Sequence, residues 1–366
     1  MSQRDTSISI LKGIGIILVV LGHASVTQPQ SYLYVRTIIY TFHMPLFLIA
    51  SGFFFRAEYL NDCRTFIKKK IRGLYFPFLK WSLIFLLLHN VFYFCGILNN
   101  EFGYQGIGTA AYSTKQIALY AIDIAIRMEH YEGFHLGAYW FMRALFVGSI
   151  FLCVCSMLLN MKLQNATVSI AIIASVFWGI ALIKSYFGIN IPLWPQGGFR
   201  DILSVTFVGA GYLIARARDR GLLMDNRILI LSTLSLISCI VIYPGKMVAG
   251  ANEFDCISLV FSGLAGFIII YHVSQWLNKS DNYLTKGLIH IGNKTFYILT
   301  FHFIMFKPVS YLKTILYDLN CKMIGCHPVI DEYNNWFWIT LYAFFSITTS
   351  LLLGTACERI KYLRIK

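Results

Sequence analysis

Two ionisable side chains, Lys12 and His23, stand inside the first apolar stretch of the chain, residues 8–25. In such a stretch a charge or an imidazole is costly and usually serves chemistry. They are eleven residues apart. At about 100° and about 1.5 Å per residue, that spacing is three turns plus about 20°, so both fall on one helix face about 16 Å apart. An imidazole at one end can take the proton of a hydroxyl as general base, and a cation at the other can meet an anion. A second histidine, His43, comes early in the next apolar stretch, two residues before Pro45. Proline removes a helix hydrogen bond to the Thr41 carbonyl and permits a local distortion beside His43. If the two helices run in opposite directions, His23 and His43 are expected to be neighbours in the outer part of a membrane. A third membrane histidine, His302, follows Thr300-Phe301. For each, the plainer alternative is an imidazole bonded to a backbone carbonyl between helices.

The elements that must carry these side chains are membrane helices. Hydrophobic residues make up 57% of the 366 and charged residues only 13%, with apolar runs along the whole length. Ten spans are expected, at 8–25, 37–55, 74–98, 138–160, 165–187, 199–217, 226–243, 255–276, 290–308 and 335–356, several reaching the 20 or so residues a bilayer needs. The second and ninth are the weakest, interrupted by Pro45 and Pro308. The fold class is therefore all-α: one polytopic bundle over 1–366, with an extracytoplasmic loop region at 99–137. The first apolar segment is too long for a signal peptide, carries Lys12 and is followed by no small-residue cleavage pattern, so it is expected to stay as the first helix.

Orientation follows from the basic residues. With both termini inside, the inner segments hold 20 Lys and Arg against 9 in the outer loops, and Lys80 and Arg143 lie within spans. That asymmetry predicts N-in, C-in with an even number of spans, and it accounts for the formal charge of +14 as a topology signal. No stacking or RNA-binding pattern accompanies it, so nucleic acid is not an expected partner.

The remaining clusters are polar patches between spans. Lys68-Lys69-Lys70-Ile71-Arg72 precedes the third span, near Arg56 and Arg64. It reads either as the positive-inside signal with a contact to anionic membrane lipid, or as a seat for a cytosolic polyanion such as a nucleotide. The 99–137 loop contains Glu101, Asp123, Glu129, His130, Glu132, His135 and the tyrosines 104, 112, 120 and 131. It could hold short interfacial helices over the outer mouth, as could 309–334. Acidic residues beside aromatics suit sugars, which are bound by hydrogen bonds and stacking, although a solvated linker has the same composition. Of the nine cysteines, most fall within spans. Cys321 and Cys326 are the two placed to pair on an oxidising side. No metal-ligand set, phosphate loop or serine elbow is present, so no metal is expected.

Taken together, Lys12-x10-His23, the run Phe42-His43-Met44-Pro45-Leu46-Phe47 with Ser51-Gly52, and Lys69-x-x-Arg72 leading into Leu74-Tyr75-Phe76-Pro77 resemble the membrane acyltransferase-3 superfamily. Within it the chain is most similar to the fucose and O-antigen O-acetylases. Tyr139-Trp140-Phe141, Gly209-Ala210-Gly211-Tyr212 and Gly292 through His302 extend the resemblance over nearly the whole chain. It implies a multi-pass protein of the bacterial inner membrane that moves an acyl group, usually acetyl, from cytosolic acetyl-CoA to a hydroxyl of a cell-surface or lipid-linked glycan. By position it makes His23 the catalytic histidine, with Lys12 its basic partner, and it makes Lys12, Lys69 and Arg72 the acyl-CoA contacts; His43 is a further catalytic candidate from its own placement near His23. Lys69 stands where arginine is more usual, keeping the charge but losing bidentate phosphate geometry. Glu132, His135, Trp140 and His302 are the acceptor-side candidates. Asp201 and Glu58 are the candidate acids for His23.

Two rival functions share these features. A glycan or lipid transporter or flippase would also have ten spans and intramembrane histidines, but the chain shows no paired carboxylates within spans and no half-to-half repeat. An acyltransferase with another donor, such as succinyl-CoA, or another acceptor fits equally.

Overall fold

The computed structural model of the chain describes residues 6–104 and 107–360. Arg4, Lys361, Arg364 and Lys366, which enter the charge count, and the Tyr104 side chain lie outside the described residues. Among the described residues the regular structure is helical apart from a small antiparallel hairpin pairing Gly103–Tyr104 with Ile107–Gly108. In chain order the helices are α1 (Thr6–His23), α2 (Gln30–Gly52), α3 (Cys63–Lys70), α4 (Phe76–Phe94), α5 (Thr114–Arg127), α6 (Trp140–Leu163) and α7 (Ala166–Tyr186). They continue with α8 (Phe199–Asp219), α9 (Asn226–Ile242), α10 (Glu253–Asn278), α11 (Tyr283–Asn293), α12 (Thr295–Leu316) and α13 (Trp336–Arg359).

Among the described residues, 8 helical stretches are long and apolar enough to cross a membrane: α1, α2, the continuous α3–α4 run, α6, α7, α8, α10 and α13. The other two expected spans are also helices. α9 is apolar but only 17 residues long, and the 22 residues of α12 include His302, Lys307 and Lys313.

The second span opens earlier than expected, at Gln30 and not 37, and ends at Gly52, and two further spans differ for local reasons. The third span opens earlier, at Cys63, because the Asp62 carboxylate caps α3 by accepting the Thr65 N–H at 3.0 Å. It then passes through a π-helical turn, Ile71–Tyr75. Pro77, with no N–H to give to the Gly73 carbonyl, accounts for that widened turn. The ninth span starts at Thr295, not 290, and runs eight residues beyond Pro308. Its C-terminal half is tied down, since Lys307 Nζ donates to the Cys326 carbonyl at 2.6 Å and Lys313 Nζ to that of Ile330 at 3.0 Å. The expected interfacial helix in the 99–137 loop is α5, whose capping box pairs Ser113 with Gln116. Cys321 and Cys326, the candidates for a disulfide, are free thiols.

The chain divides into two compact units of interleaved segments: Met1–Gly15, Thr37–Tyr75 and Phe141–Asn293 in the first, Ile16–Arg36, Phe76–Trp140 and Lys294–Lys366 in the second. The first unit is held by close backbone approach. A Cβ at Gly52 would stand 1.9 Å from the Val208 carbonyl oxygen, and one at Gly211 would stand 2.1 Å from that of Ile49. These glycines let α2 and α8 touch backbone to backbone, the kind of contact that holds helices together where the solvent is as apolar as leucine. α10 meets α2 at Pro45. A Cβ at Gly263 would lie 2.6 Å from the proline ring, and Ser262 Oγ donates at 2.8 Å to the Thr41 carbonyl that Pro45 leaves without a helix partner. The second unit is built around α12 and α13, where Ser346 Oγ donates to the His302 carbonyl at 3.0 Å and Tyr342 shares a hydrogen bond with Ser310.

Gly211→Ala should force α2 and α8 apart and cost about 1–3 kcal/mol, the usual penalty of overpacking. Gly179, on α7, has open space where a Cβ would go, so Gly179→Ala should leave stability unchanged or slightly raised. Thermal aggregation of the two detergent-solubilised variants by size-exclusion fluorescence would separate them. Equal midpoints would mean that the α2–α8 contact is not tight.

Candidate active site

His23 is the last residue of α1 and is partly buried. The turn that follows is fixed by Asp331. Its carboxylate accepts from Ser25 Oγ at 2.6 Å, from the Val26 N–H at 2.9 Å, from the Thr27 N–H at 2.6 Å and also from the Thr27 hydroxyl. Burial pushes this carboxyl up, but the donors outweigh it and hold Asp331 below the ordinary carboxylate range. Tyr32 caps the same helix end by donating to the Leu21 carbonyl at 2.6 Å, and Asn334 reaches the Ala24 carbonyl at 3.3 Å.

In the second unit His23 faces α12. Its ring centroid lies 5.6 Å from that of His302 and 4.9 Å from that of Phe303. His302 Nδ1 is 3.0 Å from the Leu299 carbonyl and 3.1 Å from that of Ile298, so Nδ1 carries the proton and Nε2 offers its lone pair. Nε2 is buried and makes no hydrogen bond. Beyond Phe303 the rings continue to His327 at 5.1 Å, then from His327 to Phe134 at 4.9 Å and from Phe134 to His135 at 5.1 Å. Burial, then the charge of Lys307, hold both outer imidazoles neutral, His135 well below its ordinary value and His327 down to about 3. Lys307 Nζ sits 4.6 Å over the Phe134 ring.

Glu132 is buried, and one of its oxygens accepts the His135 N–H at 2.6 Å while the other lies 3.6 Å from His89 Nδ1. The first of these bonds fixes the turn that carries His135. Trp140 opens α6 beside Tyr139, whose hydroxyl pairs with Thr300 Oγ1 at 2.8 Å.

Lys12, His43, Lys69 and Arg72 belong to the first unit. Lys12 lies on α1 partly buried, three turns below His23 on the same unbroken helix. His43 is buried, with Nδ1 2.7 Å from the Ile39 carbonyl and its ring 4.9 Å from Tyr40. It makes the backbone contact of the plainer reading and keeps an acceptor at Nε2. Lys69 and Arg72 are exposed, Lys69 beside Tyr59 and Arg72 within the π-helical turn. Lys70 turns inward to Ser51 Oγ at 3.2 Å. At the same ends of α2 and α8, Phe53, Arg56, Glu58, Tyr212, Arg216 and Arg218 line a cavity of about 380 Å³. Arg218 lies 4.6 Å over the Phe53 ring. Asp201 accepts from Arg143 Nε at 3.3 Å and from Trp194 Nε1 at 2.6 Å. Among the described residues no three His, Cys, Asp or Glu side chains are grouped to hold a metal ion.

Sequence reasoning singles out His23 and His302 separately, and the structure brings them together. It passes over His89, Lys307, His327, Arg216 and Arg218. The one signal for Lys307 is a charge closing the apolar run Phe303-Ile304-Met305-Phe306, which no motif covers, and the two arginines count only as topology charges.

A profile of the acyltransferase-3 family, described as an acyltransferase domain, matches residues 5–355. No curated protein and no solved structure matches the chain. A match over nearly the whole length, on a chain whose helices are long and apolar enough for several membrane crossings, places this multi-pass membrane protein in the membrane acyltransferase-3 family, as an acyltransferase.

Proposed function

We propose that the protein moves an acetyl group from cytoplasmic acetyl-CoA to a hydroxyl of a cell-surface or lipid-linked glycan outside a bacterial inner membrane, with His23 as general base. The observation that carries this reading is the placement of His23 at the end of α1 against His302, three turns from Lys12 on one unbroken helix. Ten spans with both termini inside, as the basic residues favour, put the α2 and α8 C-terminal ends on the cytoplasmic side. Lys69, Arg72 and the arginine-lined cavity then meet the donor's phosphates, while Lys12 continues the positive path toward His23. Family membership favours transfer over carriage of a glycan.

In the reaction the His23 imidazole takes the hydroxyl proton as the sugar oxygen attacks the thioester carbonyl. The carbon–sulfur bond of the tetrahedral adduct then breaks, and the imidazolium returns its proton to the departing thiolate of CoA. His302 Nε2, with its lone pair open, accepts a hydrogen bond from the His23 ring or from the sugar and fixes which nitrogen of His23 is the base. Asp331 holds the helix end in place, and His43 stands as a second imidazole with Nε2 unprotonated. Glu132 orients His135, and Trp140 offers a stacking face to the acceptor.

His23→Ala should reduce acetyl transfer by about 10²–10⁴-fold, the usual contribution of a general base, while the protein still inserts and is expressed. Glycan acetylation in membranes carrying the variant is the readout, and near-normal activity would remove His23 from the reaction. If Arg72 grips phosphate through its fork of donors, Arg72→Ala should weaken acetyl-CoA binding more than Arg72→Lys does. Equal affinity in the wild type and both variants would leave this cluster a topology signal. In oriented vesicles, acetyl-CoA should be consumed only from the cytoplasmic face while acetylated sugar appears on the other. As the single cysteine of the chain, Lys115→Cys should label from outside and Arg220→Cys from inside. Consumption of both substrates at one face would defeat transfer across the bilayer.

A further inference from the structure

Lys307 is a buried lysine that the proposed transfer does not use. It is 5% exposed on α12. Its Nζ donates to the Cys326 carbonyl at 2.6 Å, and the Pro328 carbonyl at 3.5 Å lies beyond ordinary hydrogen-bond length. An ammonium has three N–H donors. Among the described residues no carboxylate forms an ion pair with it. The acid in the cluster, Glu132, gives one oxygen to the His135 N–H at 2.6 Å and forms no ion pair with Lys307, its other oxygen lying 3.6 Å from His89 Nδ1. Beside it His135 is 0% exposed and neither of its ring nitrogens makes a hydrogen bond. An ammonium buried without a counter-charge is costly to keep in that form, and an unpaired buried imidazole adds a cost of its own. Both costs vanish when an anion arrives that accepts from Lys307 and His135.

We propose that Lys307 and His135 form a subsite for an anionic substituent of the acceptor, so that the glycan acetylated is an acidic one carrying a carboxylate or a phosphate. This inference rests on the acyltransferase reading and names its acceptor class. Position decides between a permanent anion and the transient oxyanion of the reaction. Lys307 follows His302 by five residues, about 7.5 Å along α12, and His302 is the residue that meets His23. Oxyanion donors must come within about 2.7–3.1 Å of the reacting oxygen. Phe303 lies between His23 and His327, and Phe134 carries Lys307 on its face. The separation fits a sugar whose hydroxyl is at His23 and whose charged substituent is at Lys307. His135 and His327 are neutral, so Lys307 is the group of this cluster that can carry the positive charge an anion would meet. His327 is partly exposed, and with Trp140 it marks the side from which such a sugar reaches the cluster.

The test measures binding of glucuronate, glucose 6-phosphate and glucose to the purified full-length protein at constant ionic strength, together with acetyl transfer from acetyl-CoA to each. The wild type should prefer at least one acidic sugar over glucose by about tenfold or more, and the better of the two identifies carboxylate or phosphate as the recognised group. Lys307→Met should collapse that preference. Lys313→Met, which removes another buried lysine bonded to a carbonyl on the same helix, should retain it. No acidic preference in the wild type, a preference that survives Lys307→Met, or equal loss in both variants would overturn the inference. Acetylation of acidic and neutral sugars alike would sink the acidic subsite and leave the acyltransferase standing. Tight binding of acidic sugars with no acetyl transfer would do the reverse.

Discussion

The grip of Asp331 on the turn 25–27 is the interaction on which the position of His23 depends. A helix that ends within an apolar bundle leaves its last carbonyls and the following N–H groups to be satisfied by other means. Here one carboxylate takes the amides of Val26 and Thr27 and the hydroxyls of Ser25 and Thr27, while Tyr32 and Asn334 donate to the Leu21 and Ala24 carbonyls. Hydrogen bonds to a charged group contribute about 1.5–3 kcal/mol each, enough for the end of α1 to be held in one place. The imidazole at that end then has a fixed neighbour in His302. A general base acts only if its nitrogen is within reach of the proton, so the carboxylate far from the chemistry in sequence is what makes the geometry available.

The first unit solves the same problem with small residues. Pro45 strips the Thr41 carbonyl of its helix partner, and Ser262 returns one. That exchange lets α2 keep a proline beside a buried histidine without an orphaned backbone group. Gly263 leaves room for the proline ring, and Gly52 with Gly211 brings α2 against α8 at backbone distance. The close approach sets the C-terminal ends of these two helices side by side, and the arginine-lined cavity is built from the residues just there. Packing of glycine on backbone is thus continuous with the placement of cations.

Much of this is legible in the sequence, for identifiable reasons. Lys12 and His23 sit on one helix, and helical period alone relates two positions on a single element. The ten apolar runs are helices because length and hydropathy are local properties. The partner of His23 is not legible. His302 lies 279 residues away, and periodicity says which face of a helix is polar without saying which helix it meets. Lys307, Arg216 and Arg218 read in the sequence as charges that report sidedness, a property that counts them and ignores where their side chains reach. Asp331 acts on the helix end through backbone amides and hydroxyls, a role that composition does not reveal, and Asp201 accepts from Arg143 and Trp194.

Lys307 and Lys313 show how two buried lysines on one helix come to differ. Lys313 donates to the Ile330 carbonyl at 3.0 Å and to Asn334 Oδ1 at 3.3 Å, and its ammonium lies 5.4 Å over Trp338 and 6.0 Å over Tyr342. Its charge is spread over two acceptors and two aromatic faces, and the residue staples α12 to the segment that carries Asp331. Lys307 has one short acceptor and one ring. Cation–π contact adds about 0.5–2 kcal/mol, less than the about 3–5 kcal/mol by which an uncompensated buried charge destabilises. A lysine retained only as a staple would be served by the arrangement around Lys313. The deficit at Lys307, next to an imidazole with both nitrogens unsatisfied, is the difference that an incoming anion would make good.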